Sequence, residues 1–482
     1  MPERTTIIDI KKNEEQIKKI CAEKARAFFT ERKSATYADI TDQIKRFEFE
    51  IDNVDPLGWL SRQQNSVKTY WSDREQNHET AAVGAADIVT GKTSVDYNDL
   101  FNRLKKPLGS QNSRLRYYGG ISFNQGETPD ESWLPFGVYR FIIPRFEIFC
   151  ENQKTFFACN ILYRSKDNAD EKLQEILNEL NVITFSGAVE DNTGPAPLAR
   201  NNFPDFPQWE RVVNSAVKSI RKGYFEKIVL ARKAELEFQS KLSAFTVLKN
   251  IKKINPGLTF FCFQPADDVC FIGGTPELLY RRNGRNEIHS EAIGSTTRRG
   301  KTTAEDKLLK QELIASDKSR REHWFVLASV KNALADICSE VSQSSDVSVI
   351  KLARVQHLFA ALDGILKDNI SDGDIISALH PTPAVGGYPK EETVRQIEKL
   401  EPFCRGWYGG PVGWVAFDSA EFSVAIRSGL IKNNKLSLFS GAGIVTGSEP
   451  QAEWDELESK INNYLEPPRA TDRQKTLRQH GS

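Results

Sequence analysis

One lysine and one glutamate stand beside apolar runs, where burial would change their acid–base chemistry. Lys227 precedes residues 228–230 (Ile-Val-Leu), and a lysine held against a low-dielectric strand loses its charge more easily and can accept a proton. Glu277 follows residues 273–276 (Gly-Gly-Thr-Pro) and precedes two leucines. Enclosed there, it would have a raised pKa and could act as a general acid. The local sequence equally allows a strand-edge lysine that reaches water and an exposed glutamate.

Three further glutamates have the chemistry of a magnesium site. Glu453 and Glu456 share one stripe of a predicted helix with Lys460, beside its apolar face. Glu322 stands among aromatic and apolar residues of an earlier predicted helix. Mg²⁺ commonly takes one or two carboxylates together with water and substrate oxygens. The C-terminal stripe is equally consistent with a solvated helix face that carries one ion pair.

The glycines of residues 441–447 (Gly-Ala-Gly-Ile-Val-Thr-Gly) stand between a predicted strand and the C-terminal helix. Their spacing differs by one residue from the dinucleotide-binding fingerprint, and too little chain follows for the βαβ unit that the fingerprint requires. Backbone N–H groups at a helix N-terminus nevertheless suit a carboxylate. We therefore expect this turn to bind an anion and not a dinucleotide.

Two features have roles that the local sequence leaves open. Residues 380–389 (His-Pro-Thr-Pro-Ala-Val-Gly-Gly-Tyr-Pro) predict an extended, stiff loop, which is either part of a site or only a connection. His357, in Gln-His-Leu, is more typical of a histidine satisfied in a core than of a site residue.

The elements that must position these residues are mostly strands. Residues 183–207 are rich in Gly, Pro, Asn and Asp, which is typical of a surface loop or linker. The hydrophobic patterns predict strands at 47–51, 138–149, 227–236, 412–417, 422–430 and 435–440, and helices at 13–32, 209–223, 304–340 and 451–465.

The composition permits a large folded protein with a deep pocket. The chain has 482 residues, with 65 Lys and Arg balanced by 65 Asp and Glu, so no field of one sign favours nucleic acid or an anionic membrane as a partner. Its seven cysteines are scattered without a C-x-x-C pair, which favours reduced thiols and argues against zinc. Residues 1–20 lack the apolar core of a secretory signal, and no run of about 18 apolar residues occurs. We expect a cytoplasmic protein, or one of the plastid stroma if the sequence is a mature form.

Seven blocks occur in one order, and together they resemble the chorismate-utilising enzymes, specifically the isochorismate synthases, from about residue 207 to residue 465. The blocks are Lys-Ile-Val-Leu-Ala-Arg (227–232), Gly-Thr-Pro-Glu-Leu-Leu (274–279), Ser-Glu-Ala-Ile-Gly-Ser-Thr (290–296), Arg-Glu-His (321–323), His-Pro-Thr-Pro-Ala-Val-Gly-Gly (380–387), Tyr-Gly-Gly-Pro-Val-Gly (408–413), and Gly-Ala-Gly-Ile-Val (441–445) running on to Glu-Trp-Asp-Glu (453–456).

The resemblance implies an α+β fold, in which two antiparallel β-sheets pack face to face with helices outside and the site between them. We expect residues 1–136 to be an N-terminal variable region packed on the main fold, and 137–206 to be strands of the main fold and a linker. Residues 207–466 would then be the chorismate-binding catalytic region, and 467–482 a disordered tail. The long N-terminal region resembles the menaquinone or phylloquinone type more than the siderophore type.

The resemblance also implies roles for individual residues. Lys227 would take a proton from water that attacks C2 of chorismate, while Glu277 protonates the departing C4 hydroxyl. Glu322 and Glu456 would hold Mg²⁺, with Glu453 assisting through water. The candidate substrate-binding residues are Ser295, Thr296, His357, Tyr408, Arg427, Gly441, Gly443 and Lys460. This local cationic set would reconcile a dianionic substrate with zero net charge.

Two blocks separate this chain from relatives with other products. Relatives that aminate chorismate typically have glutamine at the position of Lys227, so the lysine implies water as the nucleophile. The loop that begins at His380 favours isochorismate over salicylate as the product. A salicylate synthase and a non-catalytic chorismate-binding homologue are the alternatives, and the oligomeric state stays open, with a monomer acceptable.

The chain departs from the family pattern at two positions. The substrate-binding turn usually reads Ala-Leu-Ala-Gly-Thr, whereas residues 292–296 are Ala-Ile-Gly-Ser-Thr, so Ser295 has a side chain where glycine is expected. A backbone amide there could still serve. Ser319 replaces a usual acidic residue before Glu322, a change that we expect to alter pairing on the helix surface and not the metal site.

Overall fold

The computed structural model describes residues 10–34, 43–109, 114–185, 196–343, 346–352 and 354–465, so the predicted tail at 467–482 lies outside the described residues. The helices are α1 (Ile10–Ser34), α2 (Pro56–Arg62), α3 (Tyr97–Lys105), α4 (Ala169–Asn181), α5 (Phe206–Arg221), α6 (Ala244–Ile254), α7 (Thr303–Ala315), α8 (Asp317–Ile337), α9 (Asp372–Leu379), α10 (Lys390–Leu400) and α11 (Pro450–Leu465). The strands are β1 (Gln43–Ile51), β2 (Lys68–Ser72), β3 (His78–Gly91), β4 (Tyr117–Ile121), β5 (Tyr139–Glu151), β6 (Lys154–Tyr163), β7 (Ala199–Phe203), β8 (Lys227–Glu237), β9 (Thr259–Ala266), β10 (Val269–Thr275), β11 (Leu278–Asn283), β12 (Glu287–Arg298), β13 (Cys338–Gln343), β14 (Ser348–Lys351), β15 (Val355–Leu366), β16 (Gly387–Tyr388), β17 (Pro411–Val415), β18 (Ala420–Val424), β19 (Ser428–Lys432) and β20 (Lys435–Ile444).

The strands form two antiparallel sheets that are joined through β5, which pairs with both β3 and β4. The first sheet runs β1-β6-β5-β3-β2-β9-β10-β19-β20-β8, with β7 and the short β16 also pairing with β8. The second runs β4-β17-β18-β11-β12-β15, and both β13 and β14 pair with β15. The expected α+β fold with antiparallel sheets is confirmed.

A buried aromatic cluster joins the two sheets. Trp71, Phe261 and Phe271 come from the first sheet, and Tyr118 and Trp414 from the second. Period-two alternation along the strands directs these rings to one face, where burial of a large aromatic side chain contributes about 1.5–3 kcal/mol. The expected face-to-face packing of the sheets follows from this shared core.

Helices cover the outer faces of both sheets. Helices α1, α2, α4 and α6 share an apolar cluster with the outer face of the first sheet. Helices α3, α5, α8 and α9 share another, which includes residues of β8 and β12. Strands β8 and β12, which carry Lys227 and Thr296, are therefore packed against this layer of helices.

The structure differs from the expected helices, strands and linker at three places. The strand predicted at 422–430 is two strands, β18 and β19, separated by residues 425–427. The helix predicted at 304–340 is two helices, because the Ser316 side chain accepts a hydrogen bond from the Ser319 backbone N–H and caps a new helix, and the chain then becomes a strand at Cys338. The segment predicted as a linker contains β7, which pairs with β8.

The division of the chain at residues 136 and 206 stays a prediction. Strands from all three proposed regions are nevertheless hydrogen-bonded to each other: β3 pairs with β5, β7 with β8, and β2 with β9. None of the described helices combines the length and the apolar character needed to cross a membrane.

Candidate active site

Lys227 begins β8 and is 1% exposed. The loop of residues 380–389 lies along this strand, because β16 pairs Tyr388 with Lys227 and the Val229 N–H donates to the Gly386 carbonyl at 2.9 Å. A Cβ at Gly387 would lie 2.3 Å from the Lys227 carbonyl oxygen, so only glycine permits this approach. The loop is therefore more than a connection: it holds the strand that carries the lysine.

The Lys227 ammonium faces a carboxylate of α8. Its Nζ lies 3.6 Å from Oε1 of Glu322. Gly443 of β20 supplies the space for both side chains, since a Cβ there would lie 2.8 Å from Glu322 Oε1 and 3.0 Å from Lys227 Cε. Three residues that the sequence singled out separately, one each on β8, α8 and β20, thus meet at one point.

Glu277 occupies the segment between β10 and β11 and is 4% exposed. Its Oε1 accepts a hydrogen bond from Thr382 Oγ1 at 3.2 Å, and its backbone N–H donates to Thr275 Oγ1 at 3.2 Å. Burial raises the pKa of Glu277 to about 7, although Thr382, Lys227 and Arg427 oppose the rise. A carboxyl group that holds its proton near neutral pH can donate it to a leaving group.

Glu322 has the opposite electrostatic environment. Partial burial favours its neutral form, but Lys227 and a hydrogen bond from Ser295 outweigh burial and lower the pKa of Glu322 below its usual value, with smaller contributions from Lys460 and Lys318. Glu322 is consequently ionised near neutral pH, as a metal ligand or counter-ion must be.

The two candidate metal-binding carboxylates of α11 are each paired with a lysine. Glu453 is buried, with Oε1 3.3 Å from Lys318 Nζ, and burial raises the pKa of Glu453. Glu456 is more exposed and lies 2.7 Å from Lys460 Nζ. Over the described ranges, no three His, Cys, Asp or Glu side chains are gathered in a group that could hold a metal ion. Each of the three expected carboxylates therefore lies beside its own lysine, and the three do not converge on one point.

A hydrogen-bonded chain joins three of the candidate substrate-binding residues. His357 is buried; its Nδ1 lies 2.9 Å from Thr296 Oγ1, and its Nε2 lies 2.7 Å from Arg427 Nη2. Burial, and then the charges of Arg427 and Lys460, hold the pKa of His357 well below its usual range. A neutral imidazole can accept from the guanidinium, so His357 orients Arg427.

A second group lies around Gly441. A Cβ there would lie 2.9 Å from Tyr408 Oη, and Lys460 Nζ donates to the Gly441 carbonyl at 2.9 Å. Tyr408 stacks on Phe439 with ring centroids 5.1 Å apart, and burial raises the pKa of the Tyr408 hydroxyl. The Tyr408 hydroxyl is consequently protonated and able to donate a hydrogen bond.

The expected turn at residues 441–447 is wrong in its position. Gly441 and Gly443 belong to β20, where they pair with Ala231 and Val229, and α11 begins only at Pro450. Their small size makes room for side chains from neighbouring elements, so the glycines do not form the N-terminus of the helix. Their backbone contacts with substrate stay a prediction.

Two positioning groups were not anticipated from the sequence. Thr382 donates to Glu277 from within the loop that begins at His380. Arg405 donates to the carbonyls of Val385 and Val229, both at 2.8 Å, and so joins this loop to β8. Thr382 was in a block that the sequence had singled out, whereas Arg405 followed no recognisable motif.

The chain is similar to known enzymes over most of its length. The family model described as chorismate binding enzyme matches residues 30–466. The isochorismate synthase MenF of Bacillus subtilis is 30% identical over 437 residues, which cover 86% of this chain and 91% of the relative. That of Pasteurella multocida is 35% identical over 409 residues, covering 84% and 88%.

A solved structure is also similar to this chain over most of its length. The menaquinone-specific isochorismate synthase MenF from Escherichia coli aligns with a TM-score of 0.78 and 25% identity, over 89% of this chain and 96% of that one. The fold, the order of the blocks and the extent of both comparisons agree. The chain therefore belongs to the chorismate-binding enzyme family, in which its full-length relatives include isochorismate synthases.

Proposed function

We propose that the protein is an isochorismate synthase, which converts chorismate to isochorismate. The observation that carries the proposal is the pair formed by Lys227 and Glu277. Both are buried, and the lysine is close enough to the glutamate to act on its pKa. A base and a neutral acid in one enclosed site are what the exchange of one hydroxyl for another requires.

In the proposed reaction, Lys227 reacts as its neutral amine, after its ammonium proton has passed to solvent, and removes a proton from water as the water oxygen bonds to C2 of chorismate. The two ring double bonds shift, and the bond between C4 and its hydroxyl breaks. Glu277, which holds its proton up to about pH 7, protonates that hydroxyl, so one water enters and one leaves. The proton on Lys227 then returns to Glu277 through solvent, and the enzyme is ready for another turnover.

Mg²⁺ is part of the proposal, with Glu322 and Glu456 as its carboxylate ligands and Glu453 assisting through water. The chemistry of the donors fits, because Mg²⁺ prefers carboxylate oxygens and keeps several waters, although in the described residues these carboxylates are not gathered at one point. The lysines beside these carboxylates at 3.6, 3.3 and 2.7 Å also indicate that the site accommodates positive charge. When bound, Mg²⁺ would neutralise one substrate carboxylate and orient the ring.

The remaining cationic and polar groups would bind the substrate, which is a dianion. Arg427, which His357 orients, and the protonated Tyr408 hydroxyl would donate hydrogen bonds to the carboxylates. The other members of the proposed substrate-binding set are the backbone amide of Ser295, together with Thr296, Gly441, Gly443 and Lys460. We further propose that the enzyme serves menaquinone or phylloquinone synthesis, since the similar Escherichia coli structure is that of a menaquinone-specific isochorismate synthase. It would act in the cytoplasm or in the plastid stroma.

Product analysis tests the proposed function. The purified protein is incubated with chorismate, with and without Mg²⁺, and the products are resolved by chromatography. We expect isochorismate, with a rate that falls when a chelator removes the metal. Salicylate plus pyruvate as the main products would identify a salicylate synthase instead. The absence of any turnover with Mg²⁺ would identify a non-catalytic chorismate-binding protein.

A further inference from the structure

Ser295 has a backbone conformation that favours glycine. Its φ is +49°, in the left-handed region, and it is the extra residue of a bulge in which β12 pairs Gly294 with Leu358 and Thr296 with His357. Glycine is the common residue at such a bulge because a Cβ makes this conformation unfavourable. Serine at this position therefore carries a conformational cost that glycine would not.

The Ser295 hydroxyl has one proton and two nearby acceptors. Oγ lies 2.6 Å from Glu322 Oε2 and 3.1 Å from the Ser319 carbonyl oxygen. The shorter distance is that of a charge-assisted hydrogen bond to a carboxylate, which is about twice as strong as a neutral one. The proton therefore goes to Glu322, and since Ser295 is only 8% exposed, water competes poorly for it.

The second oxygen of Glu322 is constrained from the other side. Oε1 lies 3.6 Å from Lys227 Nζ and close over Gly443, where a Cβ would approach it to 2.8 Å. A carboxylate fixed at both oxygens has lost its rotational freedom before any ligand arrives. Preorganised carboxylates bind a cation with a smaller entropic cost.

We propose that Ser295 is a positioning residue for Glu322, whose hydroxyl holds that carboxylate in the orientation that receives the divalent cation. This inference rests on the proposed function and assigns the Ser295 side chain to the metal and not to the substrate. Contacts of this bulge with chorismate would then come from Thr296 or from backbone amides.

Mg²⁺ titration of the substrate-free protein tests the inference without turnover. Ser295→Ala removes the hydroxyl and keeps the Cβ, whereas Ser295→Gly removes the hydroxyl and the backbone strain together. We expect both variants to bind Mg²⁺ about tenfold more weakly by calorimetry, since loss of a partner that orients a metal ligand typically costs 10–100-fold. Because only the glycine variant relieves the backbone, its thermal midpoint should exceed that of the alanine variant. The matched control is Ser319→Ala, which removes a hydroxyl from α8, the helix of Glu322, and keeps the backbone carbonyl that lies near Ser295. This variant should bind Mg²⁺ normally.

Steady-state kinetics separate a metal role from a substrate role. In Ser295→Ala we expect a raised Mg²⁺ requirement, with kcat restored at high Mg²⁺ and the KM for chorismate unchanged there. A raised KM for chorismate at saturating Mg²⁺, or wild-type or tighter Mg²⁺ affinity in both Ser295 variants, would overturn the inference while leaving an isochorismate-forming wild type intact. A wild-type protein that binds no Mg²⁺ would overturn the inference together with the metal part of the proposed function.

Discussion

Glu277 and Glu322 are carboxylates of one site whose protonation is driven in opposite directions. Glu277 is 4% exposed, and burial raises its pKa to about 7. The Glu322 side chain is 23% exposed, and despite the burial that remains, its pKa is lowered by Lys227 and Ser295. One carboxylate therefore keeps its proton up to about neutral pH, and the other is ionised there.

The difference lies in the partners of the two carboxylates more than in their depth. Glu277 receives one neutral hydroxyl at 3.2 Å, from Thr382. Glu322 receives a hydroxyl at 2.6 Å and has an ammonium at 3.6 Å. Two groups of one type with pKa values pushed apart are the arrangement that lets a single site supply a proton and also hold a cation. Lys227 lowers the pKa of both carboxylates, so it is the place to disturb the arrangement first.

Lys227→Ala should have the largest effect on turnover. We expect kcat to fall by about three orders of magnitude, because general base catalysis contributes about 10²–10⁴-fold, while calorimetry still detects chorismate binding. The change also removes a charge that lowers the pKa of both Glu277 and Glu322. The difference between these two pKa values should therefore narrow. Lys233→Ala on the same strand is the control and should retain normal turnover. Undiminished turnover in Lys227→Ala would exclude this lysine as the base.

Glu277→Gln should lower kcat by about 10²-fold or more, because the amide cannot donate a proton as an acid does. In the wild type, activity should fall as the pH rises through about 7, where Glu277 loses its proton. That alkaline limb should be absent from the residual activity of the variant. A variant with an unchanged pH–rate profile would show that another group is the acid.

Stability gives an independent measure of the same pKa. Because the pKa of Glu277 is raised from 4.5 to about 7 on folding, the folded state holds more protons than the unfolded state in this window. The stabilising contribution of Glu277 to the free energy of unfolding is fully present below pH 4.5. It amounts to about 3 kcal/mol and is lost as the pH rises through 7. Denaturant unfolding of the wild type and of Glu277→Gln across pH 4–8 should reveal this difference.

Sequence patterns were sufficient for elements whose periodicity is local. The strand that begins at Lys227 followed from the apolar run after it, because burial of that run requires the extended chain to lie within a sheet. A turn is the expectation for Gly441 and Gly443, because glycine-rich segments usually are turns. Both glycines instead lie in β20, where Tyr408, Lys227 and Glu322 fill the space that a Cβ would occupy. These contacts come from distant segments, so no local pattern indicates them.

Contacts between distant segments were the part that the sequence could not supply. Thr382 reaches Glu277 only because the loop around it is hydrogen-bonded to β8, and the spacing of the two residues along the chain carries no trace of this. The break between α7 and α8 was different, since Ser316 followed by Asp317 is a helix-start signal that local reading could have found.

The smallest predicted effect comes from a third carboxylate, which tests whether the acid is tuned from a distance. Glu291 of β12 is held by both terminal nitrogens of Arg74, at 2.8 and 2.7 Å, and Arg74 also donates to the Pro276 carbonyl beside Glu277. The negative charge of Glu291 raises the pKa of Glu277. In Glu291→Gln the alkaline limb of the pH–rate profile should therefore move to lower pH, by less than about one unit, with kcat at pH 6 nearly unchanged.

Glu287→Gln provides the control for this last change, because it removes a carboxylate from the exposed start of the same strand. Its pH–rate profile should coincide with that of the wild type. A Glu291→Gln limb that stays in place, or moves to higher pH, would mean that Glu277 is tuned by its own burial alone. A shift in the expected direction would instead show that the charge of Glu291, which is held by Arg74 more than 200 residues away in the chain, tunes the pKa of the acid. We expect the Mg²⁺ affinity of the same variant, which depends on Glu322, to be unaltered.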